Sequence, residues 1–128
     1  MVILKTSVLL GLLAVASASS LHAAGYPDHP IKVIVPFPAG GVTDIATRVI
    51  VQRLSERLGR QFYVENIGGA GGNIGMADAA HAAGDGYTIL FASSSIVVNP
   101  SLYKKIPFDV KKDLIPVTKA GISRTPGW

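Results

Sequence analysis

The chain has 128 residues, no cysteine and a formal net charge of +4 at pH 7. The lack of cysteine excludes a disulfide framework and thiol chemistry. Its 12 basic residues are scattered and are not interleaved with aromatic residues along one stripe, so the sequence gives little support to nucleic-acid binding. The small positive balance suits an anionic small-molecule partner better.

The first 23 residues have the pattern of a secretory signal. A short basic start, Met1–Lys5, precedes the apolar run 7–16, and small residues follow up to Ala23. The apolar run is shorter than the roughly 20 residues that span a bilayer, although an uncleaved anchor is the open alternative. We predict export to the periplasm, with cleavage after about Ala23 and Ala24 as the second choice. The remaining 105 residues carry a formal charge of +3 and have the size of one domain or lobe.

Three runs rich in β-branched and apolar residues predict strands. The first is nearly all apolar, which is typical of a strand covered on both faces in a parallel sheet, and the third is also expected to be buried. These runs are residues 31–37, 62–67 and 87–92. Residues 114–118 are a candidate for a fourth strand.

Apolar residues at helical spacing predict a first helix over residues 43–58. Thr43 is a candidate N-cap, Asp44 lies in the first turn, and Gly59 is a natural residue to end the helix. The side chains expected on its apolar face are Ile45, Val49, Ile50, Leu54 and Leu58.

Two further helices complete the predicted elements. An alanine-rich helix covers residues 73–83 and stops at Gly84, and a short helix covers residues 100–103. The alternation of strands and helices predicts an α/β fold with a parallel sheet and right-handed crossovers.

Three loops leave the carboxyl ends of the predicted strands, at residues 38–43, 68–73 and 93–99. In parallel α/β sheets, ligands bind beyond the carboxyl ends of the strands. We therefore expect these three loops to line one edge of the sheet together.

The first loop places Gly40 and Gly41 before the amino end of a helix. Glycines let the backbone approach a ligand closely, and unpaired helix N–H groups favour anions, so this loop with Thr43 is a candidate carboxylate or phosphate cradle. An ordinary tight turn is the alternative. Asp44 is interpreted first as a partner of the helix dipole, and otherwise as a residue that holds the loop or meets a solute's ammonium group.

The second loop, residues 68–75 (GGAGGNIG), repeats the arrangement of glycines before a helix, and Asn73 adds side-chain donors. Two anion-binding loops at one edge are suited to the two ends of a diacid. A flexible surface loop is the alternative. The segment does not complete the dinucleotide-binding fingerprint, and no lysine follows the glycines as a P-loop requires.

The third loop carries three serines and an amide, which suit hydrogen bonding to a polar solute. They are Ser93, Ser94, Ser95 and Asn99. A catalytic serine is the sharper alternative, but there is no G-x-S-x-G elbow, and His29 and His81 are the histidines available as bases after the signal. Neither histidine has metal-ligand spacing to a partner, so we expect no metal and no cofactor.

In order and spacing, a set of short motifs resembles one known family. The motifs are Tyr26-Pro27-x-x-Pro30-Ile31, Val35-Pro36-Phe37-Pro38-Ala39-Gly40-Gly41, Thr43-Asp44, Glu65-Asn66, Gly69-Ala70-Gly71-Gly72-Asn73-Ile74-Gly75, Asp85-Gly86-Tyr87-Thr88, Asn99-Pro100-x-Leu102-Tyr103 and Pro107-x-Asp109-x-x-x-Asp113. Over residues 26–118 the chain resembles the substrate-binding receptors of tripartite tricarboxylate transporters, also called Bug or TctC-type receptors.

This resemblance implies a two-lobed, type II periplasmic-binding-protein fold and no enzymatic activity. It implies a receptor that closes around a small organic acid or amino acid and delivers it to a membrane permease. The ligand-binding residues that the resemblance and the loops together indicate are Phe37, Ala39, Gly40, Gly41, Thr43, Asp44, Asn66, Gly69, Ala70, Gly71, Gly72, Asn73, Ser93, Ser94, Ser95 and Asn99.

The sequence departs from the family at its end, because members continue into a second lobe. We expect residues 24–118 to form a partial N-terminal lobe and residues 119–128 to be a divergent or truncated tail. A single lobe is expected to bind weakly or not at all. The open alternatives are an exported hydrolase-like enzyme and a nonfunctional truncated product.

Overall fold

A computed structural model describes residues 25–121. The predicted signal segment with its cleavage site, and most of the predicted tail, lie outside the described residues. The elements, in chain order, are β1 (Ile31–Val35), α1 (Val42–Leu58), β2 (Phe62–Asn66), a 3-10 turn (Ala70–Gly72), α2 (Asn73–His81), β3 (Thr88–Leu90) and α3 (Ser95–Leu102).

The three strands form one parallel sheet in the order β2-β1-β3. Ile31 is paired with Phe62 at the start of β1, and Val35 is paired with Asn66 at its end. β3 flanks the other side of β1, where Leu90 is paired with Ile34. The predicted parallel α/β arrangement is confirmed, and the carboxyl ends of all three strands lie at the same edge.

Side chains on the two faces of the sheet pack against different helices. Ile31 and Val33 project to one face and form a core cluster with Val51 of α1. Leu90 projects to the opposite face and packs against Met76 of α2. This two-sided burial explains why β1 is almost continuously apolar, whereas β2, at an edge of the sheet, alternates and exposes Tyr63 and Glu65.

The apolar face predicted for α1 is only partly confirmed, because Leu54 packs against the core cluster while three of the other four residues are exposed. Ile45 and Val49 are 57% and 61% exposed, and Leu58 is exposed too, whereas Asp44 and Thr47 are almost fully buried. Burial of Thr47 needs no external partner, because its hydroxyl donates to the carbonyl of Thr43 at 2.6 Å. The helix therefore turns a partly polar, compact face toward the sheet.

Three further predictions need correction. The described residues 114–118 form no strand. α2 ends at His81, where the Ala82 N–H donates to the Ala79 carbonyl, so it stops before Gly84. α3 begins at Ser95, well before the predicted start at Pro100. Pro100 lies inside α3, where it has no N–H to donate to the carbonyl of Ile96 four residues earlier.

Gly59 ends α1 in the left-handed conformation, with φ 63°, and its N–H donates to the Ser55 carbonyl, as the sequence predicts. Along the described part of the chain, none of the three helices is both long and apolar enough to cross a membrane.

Gly75 of α2 tests how tightly the second glycine loop packs on the end of β1. A Cβ at this position would collide with the Ile67 carbonyl oxygen and lie 3.0 Å from Pro36 Cα. Gly75→Ala should destabilise the chain by about 1–3 kcal/mol, although Gly→Ala in an exposed helix interior gains about 1 kcal/mol. Urea unfolding measures the difference.

Gly84→Ala is the matched control, because a Cβ there meets nothing within 4 Å. We expect its stability to change by no more than about 0.5 kcal/mol. Equal stability of the two variants would contradict the close packing of α2 against β1.

Candidate functional site

The first and second glycine loops lie against each other at the carboxyl edge of the sheet. The side-chain amide of Asn66, at the end of β2, donates to the Phe37 carbonyl at 3.1 Å. A Cβ on Gly68 would lie 3.6 Å from Pro38 Cδ. The end of β2 is therefore joined directly to the loop that follows β1.

The second glycine loop also contacts α3, which follows the serine loop. Asn99 of α3 is buried, and its amide donates to the Gly71 carbonyl at 2.9 Å and to Asn73 Oδ1 at 2.7 Å. These bonds join the second loop to the third. The prediction that three loops line one edge is confirmed by their mutual contacts.

Asp44 organises the first loop. Its carboxylate is buried, accepts the Gly40 N–H at 2.8 Å and pairs with the Arg48 guanidinium at 3.0 Å. It also accepts the Asn66 side-chain amide at 3.0 Å. Of the roles left open by the sequence, the structure shows the one in which Asp44 holds the loop.

These contacts shift the ionisation of Asp44. The Arg48 side chain contributes most, followed by the Gly40 N–H and the Asn66 amide, and together they lower the pKa of Asp44 from 3.8 to about 2. Hydrogen bonds and a neighbouring cation both favour the charged form. Asp44 is therefore a fixed anion at neutral pH, and Arg48 balances its charge.

The predicted role of Thr43 as N-cap is wrong. α1 begins one residue earlier, at Val42, and Gly41 occupies the N-cap position without a side-chain hydrogen bond. The physical reason is that Asp44 already ties down the loop through Gly40. No hydroxyl cap is then needed to fix the start of the helix.

The first loop retains unpaired backbone donors. The Gly40 N–H is taken by Asp44, and the Gly41 N–H makes a long bond of 3.4 Å to the Pro38 carbonyl. The next three N–H groups, of Val42, Thr43 and Asp44, have no backbone acceptor within residues 25–121. They form the open amino end of α1, which favours an anion.

The second loop is a left-handed turn. Gly69, Ala70, Gly71 and Gly72 have φ values of 122°, 49°, 65° and 95°. For Ala70 this conformation costs roughly 1–2 kcal/mol, and glycine avoids the cost at the other positions. The Gly72 N–H donates to the Gly69 carbonyl, while the N–H groups of residues 69–71 have no backbone acceptor in the described segment.

The predicted ligand amides are used internally in this structure. Asn66 has both ends of its side chain occupied, because its oxygen accepts from Arg48 at 3.1 Å while its nitrogen donates to Phe37 and Asp44. Asn99 donates to the second loop in the same way. Both residues position loops, and their direct contact with a solute stays a prediction.

The serines lie at the same edge, and within residues 25–121 no hydrogen bond joins them to a histidine. Ser93 and Ser95 hydroxyls are 3.1 Å apart, and Ser95 is already part of α3, while Ser94 is exposed. His29 is bonded to Asp28 and stacked on Tyr87, before β3 begins, so it lies toward the opposite edge. No cluster of metal-ligating side chains exists among the described residues.

Two residues at this edge were missed by the sequence reasoning. Arg48 lies four residues after Asp44, a helical spacing that places opposite charges together and could have revealed the pair. Tyr103 packs its ring on Gly71, with its hydroxyl oxygen 2.6 Å from where a Cβ would stand. No sequence pattern indicates that contact, because it depends on how α3 meets the second loop.

The charge of Asp44 gives a prediction for stability against pH. Its folded pKa lies below the ordinary value, so the ionised group stabilises the fold above pH 3.8, and this contribution is lost as the pH falls through about 2. Asp44→Asn should lower the thermal midpoint at about pH 6, and the gap to the unmodified chain should close near pH 2. Circular dichroism melts at several pH values measure this.

Glu56→Gln is the matched control, since it removes an exposed carboxylate from the same helix, where Glu56 contacts the exposed side chains of Arg53 and Gln52. We expect little change at either pH, because exposed ion pairs contribute little. A gap for Asp44→Asn that is equally large at both pH values would show that the charge is not what matters.

The chain is similar in sequence and in fold to known proteins of one family. The family model described as tripartite tricarboxylate transporter family receptor (TctC) matches residues 46–126. Protein BugT of Bordetella pertussis is 46% identical over 106 residues, which cover 81% of this chain and 32% of that protein. The chain thus spans about a third of the length of this relative.

Solved structures that resemble this chain belong to the same kind of protein. Periplasmic binding protein BugD is 46% identical, with a TM-score of 0.60 over 62% of this chain and 26% of BugD. The structure of R. palustris Rpa4515 with adipate is 35% identical, with a TM-score of 0.64 over 66% of this chain and 28% of that one. By sequence and by fold, the chain belongs to the tripartite tricarboxylate transporter family of receptors.

Proposed function

We propose that this chain contributes the carboxylate-binding wall of an exported solute receptor that acts in the periplasm. The observation that carries the proposal is the pair of adjoining glycine loops, which leave backbone N–H groups unpaired on both sides of one edge. Such groups are strong donors that seek an acceptor. A carboxylate supplies two acceptor oxygens and a charge that suits a helix amino end.

The charge balance of the edge supports an anionic guest. Asp44 is the fixed negative charge in the first loop, and its pairing with Arg48 at 3.0 Å offsets it locally. Its oxygens are also occupied by Gly40 and Asn66. The carboxylate of a guest is therefore repelled less than the presence of an aspartate would suggest.

Within this proposal, the guest is a di- or tricarboxylate or an amino acid, and the receptor passes it to the membrane permease of a tripartite transporter. Membership of the family supports delivery to a permease. The structure of Rpa4515 with adipate supports a dicarboxylate as the guest. BugD supports the periplasmic location. The reaction class is binding without chemistry, since the serines of the third loop have no neighbouring base in the described contacts.

The strength of binding follows from the number of donors. Three N–H groups that bind one carboxylate contribute about 1.5–3 kcal/mol each, while association costs roughly 4–15 kcal/mol. The balance corresponds to millimolar affinity at best, and micromolar affinity needs about 8 kcal/mol net. The contacts described in this chain therefore account for weak binding, and a second wall of contacts is needed for tight capture.

Val42→Pro tests the first loop by removing a single donor. Val42 is the first residue of α1 and is exposed, and Gly41 before it is extended, so proline fits both the helix and the preceding residue. We expect adipate to bind about tenfold more weakly, the effect of one lost hydrogen bond to a charged acceptor. Titration of the ¹⁵N-labelled chain with adipate, followed by NMR, measures the weak affinity directly.

Val42→Ala is the control, because it trims the same exposed side chain and keeps the N–H. Its affinity should match that of the unmodified chain. The proposal fails if adipate, citrate and glutamate all leave the amide shifts of residues 40–44 and 69–73 unchanged. It also fails for the first loop if Val42→Pro and Val42→Ala bind alike.

A further inference from the structure

Tyr103 covers the second glycine loop. It follows the last residue of α3, and its N–H donates to the Asn99 carbonyl at 2.9 Å. Its hydroxyl oxygen, Cζ and Cε2 lie 2.6, 3.3 and 3.4 Å from the position of a Cβ on Gly71. The edge of the phenol ring thus fills the space that a side chain at residue 71 would take.

The position of the ring is fixed by a buried anchor. Asn99 is 4% exposed and bonds to both Gly71 and Asn73, so it ties α3 to the loop on which the phenol rests. Tyr103 lies four residues further on, and its backbone N–H donates to the carbonyl of the same residue. A side chain held in this way is pre-organised, and less entropy is lost when it binds a guest.

The hydroxyl of Tyr103 is not used to hold the fold. Among residues 25–121 it has no hydrogen-bond partner, and the residue is 38% exposed. Two other tyrosines differ: the Tyr26 hydroxyl donates to the Gly86 carbonyl at 2.7 Å, and the Tyr87 hydroxyl donates to Asp28 at 2.6 Å. Tyr103 therefore presents an available O–H donor beside the unpaired amides of the second loop.

We propose that Tyr103 binds the guest directly, by donating its hydroxyl to the carboxylate that the second glycine loop receives. This inference rests on the proposed function and adds a residue to its binding wall. The phenol is a neutral donor, so it strengthens the binding of the carboxylate. A positively charged side chain in the same place would attract any anion from solution. The carboxylate is then held by backbone N–H groups from the loop and by one side-chain O–H from α3.

Tyr103→Phe separates this role from packing, because phenylalanine keeps the ring on Gly71 and removes only the O–H. We expect adipate to bind about tenfold more weakly, as for one hydrogen bond to a charged acceptor, with the thermal midpoint unchanged. In the unmodified chain with ¹³C-labelled tyrosine, the ring signal of Tyr103 should shift with adipate. The signal is assigned by its absence from the variant.

Tyr63→Phe is the matched control, since Tyr63 is 44% exposed and lies near the amino end of β2, where it is paired with Lys32. This variant should bind adipate as tightly as the unmodified chain, and the ring signal of Tyr63 in the unmodified chain should not shift with adipate. If the unmodified chain binds adipate and Tyr103→Phe binds equally well, the role of Tyr103 is overturned while the proposed function stands.

Two other outcomes would also decide whether the Tyr103 hydroxyl binds the guest. If the unmodified chain shows no response to adipate at any concentration, the proposed function and the role of Tyr103 both fall. If Tyr103→Phe lowers the thermal midpoint and shifts the amide signals of residues 69–73 before adipate is added, the hydroxyl has a structural role and the inference is overturned.

Discussion

The buried carboxylate of Asp44 is the interaction on which the edge of the sheet depends. It bonds to the loop after β1 through Gly40, to its own helix through Arg48, and to the end of β2 through Asn66. A single group therefore fixes the loop, the rotation of α1 and the distance between two strand ends. Because it consumes the Gly40 N–H, the donors that remain open are those of the first helical turn.

Some parts of this fold follow from the sequence pattern, and others depend on contacts such as those of Asp44. The strands were predictable, β1 most clearly, since burial on both faces demands a nearly continuous apolar run such as residues 31–35, in which Lys32 is the one polar residue. The glycine loops were predictable too, because they follow those strands directly. The face that α1 turns inward was predictable only in part, because Asp44 is buried with its hydrogen bonds whereas Ile45 and Val49 are exposed despite their apolar spacing. The spacing of apolar residues shows which side chains can pack in a core, but it does not show which polar side chains are buried by hydrogen bonds.

The asparagines show a second limit of prediction from the sequence. Asn66 and Asn99 stand where the sequence indicates ligand contacts, yet in the structure each joins one loop to the next. A polar side chain after a strand can reach outward or bond to a neighbouring loop, and the choice depends on tertiary distances that spacing along the chain does not contain. Tyr103 is the converse case, since the sequence places it in a family motif without indicating a role, and its contact with Gly71 depends on how the Asn99 bonds join α3 to the loop.

An edge built mainly from backbone N–H groups has a consequence for pH. Such donors do not titrate, and Asp44, which shapes the first loop, stays ionised down to a pH of about 2. The guest's own carboxyl groups, with ordinary pKa values of about 4, are therefore protonated first as the pH falls. A carboxyl that has lost its charge loses most of its attraction to a helix amino end. As the pH falls, the loss of the proposed binding is thus set by the guest and not by this edge, as long as Arg48 keeps Asp44 ionised.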